Sequence, residues 1–313
     1  MKKNITYYIQ EYGVLIALAI LVLATSIYSK EFRSIDNLFS LLRQSSVNAF
    51  ISFGMAAIIL TGGIDLSVGS VLALTTAIAA SLIKAGFPVL AAIIIALILG
   101  ACFGAINGIM VTKGKLQPFI ATLITMTVYR GLTYIYTSGM PISNLGSDEH
   151  LQLLDFIGKG KLGIIPFPVI LLVIVFVIFY IILNNTKLGR SIYAVGSNEN
   201  CAELAGIKTA RVKMFVYTIS GVMATLAGMI ILSRLSSSQP VLGKGYELDA
   251  IAAVALGGTS MAGGRGKISN TLIGVLIIAV LNNGMNIINV SSYFQDVVKG
   301  LVILIAVLAD KKK

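Results

Sequence analysis

Charge is what this sequence has least of. Of 313 residues only 12% are Asp, Glu, Lys or Arg, while 57% are hydrophobic. A soluble domain carries about 25% charged and about 45–50% apolar residues, so the 24 Lys and Arg and 13 Asp and Glu present cannot coat a globule of this size. The same imbalance excludes disorder, which requires high charge and low hydrophobicity. Cysteine is nearly absent: Cys102 in an apolar run and Cys201 in a polar loop exclude a disulfide scaffold and are expected as free thiols. The single histidine, His150, has no cluster of Cys, Asp and Glu at metal-ligand spacing. Asp148, Glu149 and Asp155 near it read as a solvated loop face. The 31 glycines are scattered without period, which excludes collagen. What remains is an all-α integral membrane protein. Its net charge of +11 comes from basic residues between apolar runs and at both ends. No basic stripe with interleaved aromatics is present, so the charge reads as membrane topology and not as a nucleic-acid surface.

About 20 apolar residues cross a bilayer as a helix. The long uncharged stretches place ten transmembrane helices at 12–29, 44–64, 66–83, 88–112, 116–137, 166–183, 214–233, 250–264, 268–289 and 297–309. The stretch 250–264 is short and rich in Gly and Ser, which suits a half-helix followed by a turn. Arg130 falls inside 116–137. Lys2 and Lys3 before an apolar region ending at Ala24-Thr25-Ser26 resemble a secretion signal. Such signals have an apolar stretch of only about 7–15 residues, so this is expected to be the first membrane helix. With both ends inside, the inner side collects Lys2, Lys3, Lys113, Lys115, Lys187, Arg190, Lys208, Arg211, Lys213, Arg265, Lys267, Lys311, Lys312 and Lys313. The outer side has Lys30, Arg33, Arg43, Lys84, Lys159, Lys161, Arg234 and Lys244. That bias favours two cytoplasmic termini. Two polar connections are long: 138–165 outside and 184–213 inside. No Pro- or Ser-rich linker divides the chain, so residues 1–313 form one transmembrane domain.

Several segments could carry chemistry. Asp65, in TGGIDLSVGS (61–70), is the one charged residue between Arg43 and Lys84. An ionisable group at membrane depth suggests a proton or ion carrier. It also suits a helix N-cap that accepts from the backbone of Ser67 or Val68, and cap chemistry accounts for every neighbour. The Gly-rich segment 257–268 resembles a phosphate loop but fails at Met261 and Ile268, where that motif needs Gly and Ser or Thr. No ATP-hydrolysing site is therefore visible. In the inner loop, Ser197 or Asn198 can cap a short helix running to Leu204, with Gly206 as its stop. Asn48, Asp65, Asn107, Asn282 and Asn283 are polar groups that either bond across helices or wet a path for a hydroxyl-rich solute. Asp296 and Lys299, three apart, read as a pair on one helix.

These segments together resemble the membrane permease of bacterial ribose ABC importers, in the monosaccharide branch of that class. The resemblance is carried by TGGIDLSVGS, QPFIATL at 117–123, the loop 188–207, SSSQP, GYELDAIAAVALGGTS, AGGRGK, and the stretches 282–286 and 291–293. It covers nearly the whole chain and is weakest in the first forty residues and in 138–165. It implies a type II ABC importer fold, like that of the vitamin B12 importer, working as a homodimer in the bacterial inner membrane. The implied partners are a cytoplasmic ATPase, which uses ATP and Mg, and an extracytoplasmic sugar-binding protein. The chain itself would bind no cofactor or metal and would not be an enzyme. Gly189, Ala194, Gly196, Asn198, Glu199, Ala202, Glu203 and Gly206 match the family's ATPase-coupling loop. Outer-facing Arg33, Arg234 and Lys244 are candidates for docking the binding protein. D-ribose is the implied sugar, with other monosaccharides open. A stand-alone ion-coupled secondary sugar transporter is the alternative; it would use intramembrane carboxylates, for which Asp65, Asp249 and Asp296 are available.

Overall fold

The computed structural model describes residues 5–310. Lys2, Lys3, Lys311, Lys312 and Lys313, which enter the charge argument for the two ends, lie outside the described residues. The chain is a helical bundle. α1 (Ile5–Tyr28) leads through a 3-10 turn (Glu31–Arg33) into α2 (Ile35–Leu60), whose start is capped by the Ser34 hydroxyl accepting from the Asn37 N–H. α3 (Val68–Lys84), α4 (Val89–Thr112) and α5 (Pro118–Thr137) follow. Next come α6 (Asp148–Lys159) and a short antiparallel ribbon of β1 (Lys161–Leu162) and β2 (Ile165–Pro166). α7 (Phe167–Asn185), α8 (Lys187–Ser197), α9 (Glu199–Leu204), α10 (Thr209–Leu235), α11 (Tyr246–Leu256), α12 (Ile268–Ile287) and α13 (Ser292–Asp310) complete it. Among the described residues, α4, α7, α10 and α12 are long and apolar enough to cross a membrane by length and composition.

α2 and α10 form the centre. Every residue of α2 from 45 to 60 is buried, as expected of a helix apolar on all sides. It packs against α7, α10, α11 and α12, while α10 packs against α2, α3, α4 and α6. The α4–α10 contact is the most extensive. A Cβ at Gly104 would overlap the carbonyl of Tyr217, and one at Gly221 would overlap that of Gly100, so only glycine lets these backbones meet. Small residues at such seams are how helices pack tightly in lipid, where burial of apolar surface supplies little driving force. The outer faces of α4 and α7 show the complement: Leu90, Ile94 and Ile98, and Val173, Ile174, Val177, Ile178 and Ile181 are exposed apolar side chains on membrane-length helices.

Contacts define two ends of the bundle. At one, Gly264 N–H donates to Leu60 O (3.0 Å) and Tyr193 Oη donates to Gly266 O (2.9 Å), joining α2, α8 and the Gly-rich turn 257–267. Burial pushes the Tyr193 hydroxyl's pKa up, which keeps it a donor. At the other, α6 buries Leu151 and Leu154 beside α3, α4 and α10. There the Ser233 hydroxyl donates to Leu154 O and accepts from Gly158 N–H (2.9 Å). The segment 138–165, expected as a polar connection, is thus partly a docked amphipathic helix.

The stretch expected at 250–264 is indeed a half-length helix, α11, followed by a turn with Gly258 and Gly263 at positive φ. The segment before it does not simply cross over from α10. Its Ser238 bridges Ile142, and its Gly243 carbonyl lies against Gly69 at the start of α3. α11 therefore begins inside the bundle. The expected Asp296–Lys299 pair is not formed. Lys299 reaches across to Asp249 Oδ1 of α11 at 3.0 Å, since a buried carboxylate left without a counter-charge is costly. Both cysteines are free thiols and exposed.

Candidate functional site

The residues expected at the coupling loop form a compact two-helix unit at the α2 end of the bundle. Thr186 caps α8 by accepting from the Gly189 N–H at 3.1 Å. Gly189 sits directly against the last turn of α7, where a side chain would overlap the carbonyls of Ile182 and Leu183. Ile192 and Val195 bury one face of α8, with Ala194 half-buried beside them. Gly196 meets α2 and the Gly-rich turn so closely that a Cβ would overlap Leu60 O. α8 is therefore fastened to the rigid centre through backbone.

α9 stands on that base. Asn198 caps it by accepting from Cys201 N–H at 3.0 Å, and Gly206, at φ +82°, follows its end. Glu199 pairs with Lys213 Nζ at 2.6 Å, and Glu203 accepts from Thr209 Oγ1 at 2.6 Å, so both acidic residues hold α9 to the first turns of α10. Ala202 is buried inward. Leu204 points the other way and is 89% exposed. Leu204 is legible in the sequence only as a helix end, and α8 is a helix beyond the expected one, although Thr186, Leu188, Ile192 and Val195 carry its cap and its helical spacing.

The polar centre is a second cluster. Asp65 is buried and accepts from the Ser67 N–H (2.9 Å), but it is not the expected N-cap: α3 starts at Val68 with Ser67 in the cap position, so Asp65 closes the turn ahead of the helix. Oδ1 also accepts from Ser67 Oγ (2.6 Å) and the Asn107 amide (3.4 Å), and Oδ2 from Ser220 Oγ (3.2 Å). Asn107 donates as well to Ser67 Oγ at 2.7 Å. One carboxylate thereby ties together the α2–α3 turn, α4 and α10. The other amides lie at different contacts. Asn283 and Asn37 exchange amide bonds at 2.8 and 3.1 Å, clasping α12 to the start of α2. Asn282 is buried beside Asp249, and Asn48 is buried within α2. Arg33, Arg234 and Lys244 are all exposed; Arg33 lies in the 3-10 turn and Arg234 at the end of α10. Arg130, unexplained in the sequence, does not face lipid: Nη1 donates to Pro240 O (2.7 Å) and Leu242 O (2.8 Å), holding the segment before α11 against α5.

A multi-pass helical bundle with glycine-seamed helices and a helix pair projecting from one end has the build of a transport permease. Residues 37–307 match the family described as branched-chain amino acid transport system / permease component, and the chain belongs to that family. It is 53% identical over 304 residues to the ribose import permease protein RbsC of Bacillus subtilis (strain 168), covering 97% of this chain and 94% of that one. It is 51% identical over 306 residues to the RbsC protein of Escherichia coli (strain K12), covering 98% and 95%. The D-allose transport system permease protein AlsC of the same organism is 40% identical over 310 residues, covering 98% and 94%.

Proposed function

We propose that this chain is the membrane-spanning permease subunit of an ATP-driven importer for D-ribose. The observation that carries the reading is the 53% and 51% identity to two ribose import permeases along nearly the full length of each, against 40% to the allose permease. In this reading two copies form the translocation unit in the bacterial inner membrane. Each contributes ten membrane helices, α11 being the half-length one, with both termini in the cytoplasm. A separate ATPase uses ATP and Mg on the cytoplasmic side, and a separate sugar-binding protein docks outside near Arg33, Arg234 and Lys244.

The α8–α9 unit is the coupling element. Its anchoring through Gly189 and Gly196 lets a displacement of α9 reach α2 without loss in flexible side chains, and exposed Leu204 supplies an apolar tip for a partner's groove. Asp65, Asn107 and Asn283 fasten helices in this reading, since their side chains are engaged with one another, Ser67, Ser220 and Asn37. That engagement supports a fastening role for Asp65 over that of an ion carrier.

The test is uptake of labelled ribose into vesicles holding this chain, with the ATPase and binding protein added singly and together. Uptake only with all components and ATP is expected. Uptake by this chain alone, collapsed by an uncoupler, overturns the reading in favour of ion coupling. Gly196→Trp and Glu203→Lys are expected to abolish uptake while the protein still reaches the membrane; normal uptake by both removes the coupling assignment.

A further inference from the structure

A cavity of about 500 Å³ opens between α3, α5 and the segment leading into α11. Its volume lies within the range of small-molecule sites, about 300–1,000 Å³. One wall is a stripe of α5 in which Met126, Arg130 and Tyr134 follow at four-residue spacing. The facing wall carries Glu247, in the first turn of α11. Ser70 closes the cavity from α3; it is 1% exposed, and its hydroxyl is buried without a partner.

Three charged residues line the cavity: Lys244 is exposed, while Arg130 and Glu247 are held from behind and kept apart. Among the described residues, Arg130 hydrogen-bonds through Nη1 to the carbonyls of Pro240 and Leu242. Glu247 Oε1 accepts from the Gly245 N–H at 3.2 Å. The ion pairs among the described residues are Lys159–Asp155, Lys213–Glu199 and Lys299–Asp249, so Arg130 and Glu247 share a cavity without closing on each other. A facing cation and anion held apart need something between them that donates to one and accepts from the other. A hydroxyl does both at once. With Lys244 also at the wall, a cationic solute would meet two cations, and an anionic one would leave Glu247 unmatched in a half-buried site, which is costly. Tyr134 and Met126 offer apolar surface for the C–H face of a ring.

We propose that this cavity is a contact site for a neutral monosaccharide inside each protomer, with Glu247 and the free edge of Arg130 binding ring hydroxyls and Ser70 completing the set. The inference rests on the ribose-import reading and adds to it a place where the permease itself touches sugar.

The experiment uses the reconstituted complex. Wild-type uptake with all components tests the import reading, and its failure bears on that reading alone. The cavity is tested by thiol labelling, which needs no turnover: Thr127→Cys, at the cavity wall, in a chain with both native cysteines changed to serine. Ribose is expected to slow labelling by about tenfold, and Glu247→Gln in the same background to remove the protection, consistent with loss of a hydrogen bond to a charged group. A labelling rate unchanged by ribose, or protection by leucine in place of ribose, overturns the proposal. Gly131→Leu gives an independent arm, because a Cβ there meets nothing within 4 Å and so fills the cavity without a clash. It is expected to abolish ribose uptake while ATP hydrolysis by the assembled complex continues. Wild-type uptake by the assembled variant overturns the proposal.

Discussion

Asp65 shows how one residue can join three helices. Its carboxylate accepts from Ser67, Asn107 and Ser220, and no cation among the described residues pairs with it. Asp65→Asn replaces one acceptor oxygen with a donor that faces donors. The expected loss is about 1–3 kcal/mol, the penalty of leaving buried polar groups unmatched, read as a lowered thermal midpoint of the purified protein in detergent. Uptake by the folded fraction is expected to remain ATP-driven and insensitive to an uncoupler. An uncoupler-sensitive wild type silenced by Asp65→Asn would instead make this carboxylate an ion carrier.

At the scale of elements, α8 and α9 divide the work. α8 is locked to the bundle by backbone approach, and α9 is held to it by Asn198, Glu199 and Glu203 while presenting Leu204 outward. Exposed ion pairs contribute about 0–1 kcal/mol each, so the Glu199–Lys213 contact sets orientation more than stability. Leu204→Asp is expected to leave the thermal midpoint unchanged, as surface substitutions do to within about 0.5 kcal/mol. It should also prevent co-purification of the ATPase. Retained co-purification would place the partner's grip elsewhere on the chain. Cys201 lies exposed on the same helix. In intact cells a membrane-impermeant thiol reagent is expected to spare it until the membrane is permeabilised, and labelling from outside would reverse the orientation.

Across the whole molecule, the Lys299–Asp249 pair links α13 to a half-helix that begins inside the bundle. Lys299→Met leaves the buried carboxylate unpaired, and the expected cost is roughly 3 kcal/mol or more. The double variant Lys299→Met with Asp249→Asn is expected to recover most of it, since neither charge is then stranded. Thermal midpoints of the two single variants and the double one measure the coupling; additive losses would show that the contact is incidental.

Features that depend on local chemistry were legible in the sequence. Apolar runs longer than a bilayer crossing, with charge swept to their ends, establish a membrane bundle without reference to any contact. A cap at Ser197 or Asn198, which the structure places at Asn198, the stop at Gly206 and the half-length of α11 follow from residue types within a few positions. The order of several long motifs carried the family. What depended on approach between distant segments was not legible. Lys299 has Asp296 three residues away yet binds Asp249, and nothing local to Lys299 favours the distant partner. Arg130 looked like a charge stranded in a span; only the return of 236–245 into the bundle supplies its two carbonyls. Whether polar residues in spans bond across helices or line a path was likewise not local: Asp65 meets Asn107, and Asn283 meets Asn37, because an amide bonds whatever donor or acceptor the packing brings within about 3 Å. Sequence by itself determined a membrane bundle and its long apolar helices, though not α6 or α8, since apolar runs follow from transfer of side chains between water and lipid. Tertiary structure alone decided which polar groups satisfy one another and which are left facing a cavity, since that is settled by the close approach of backbones at glycines far apart in the chain.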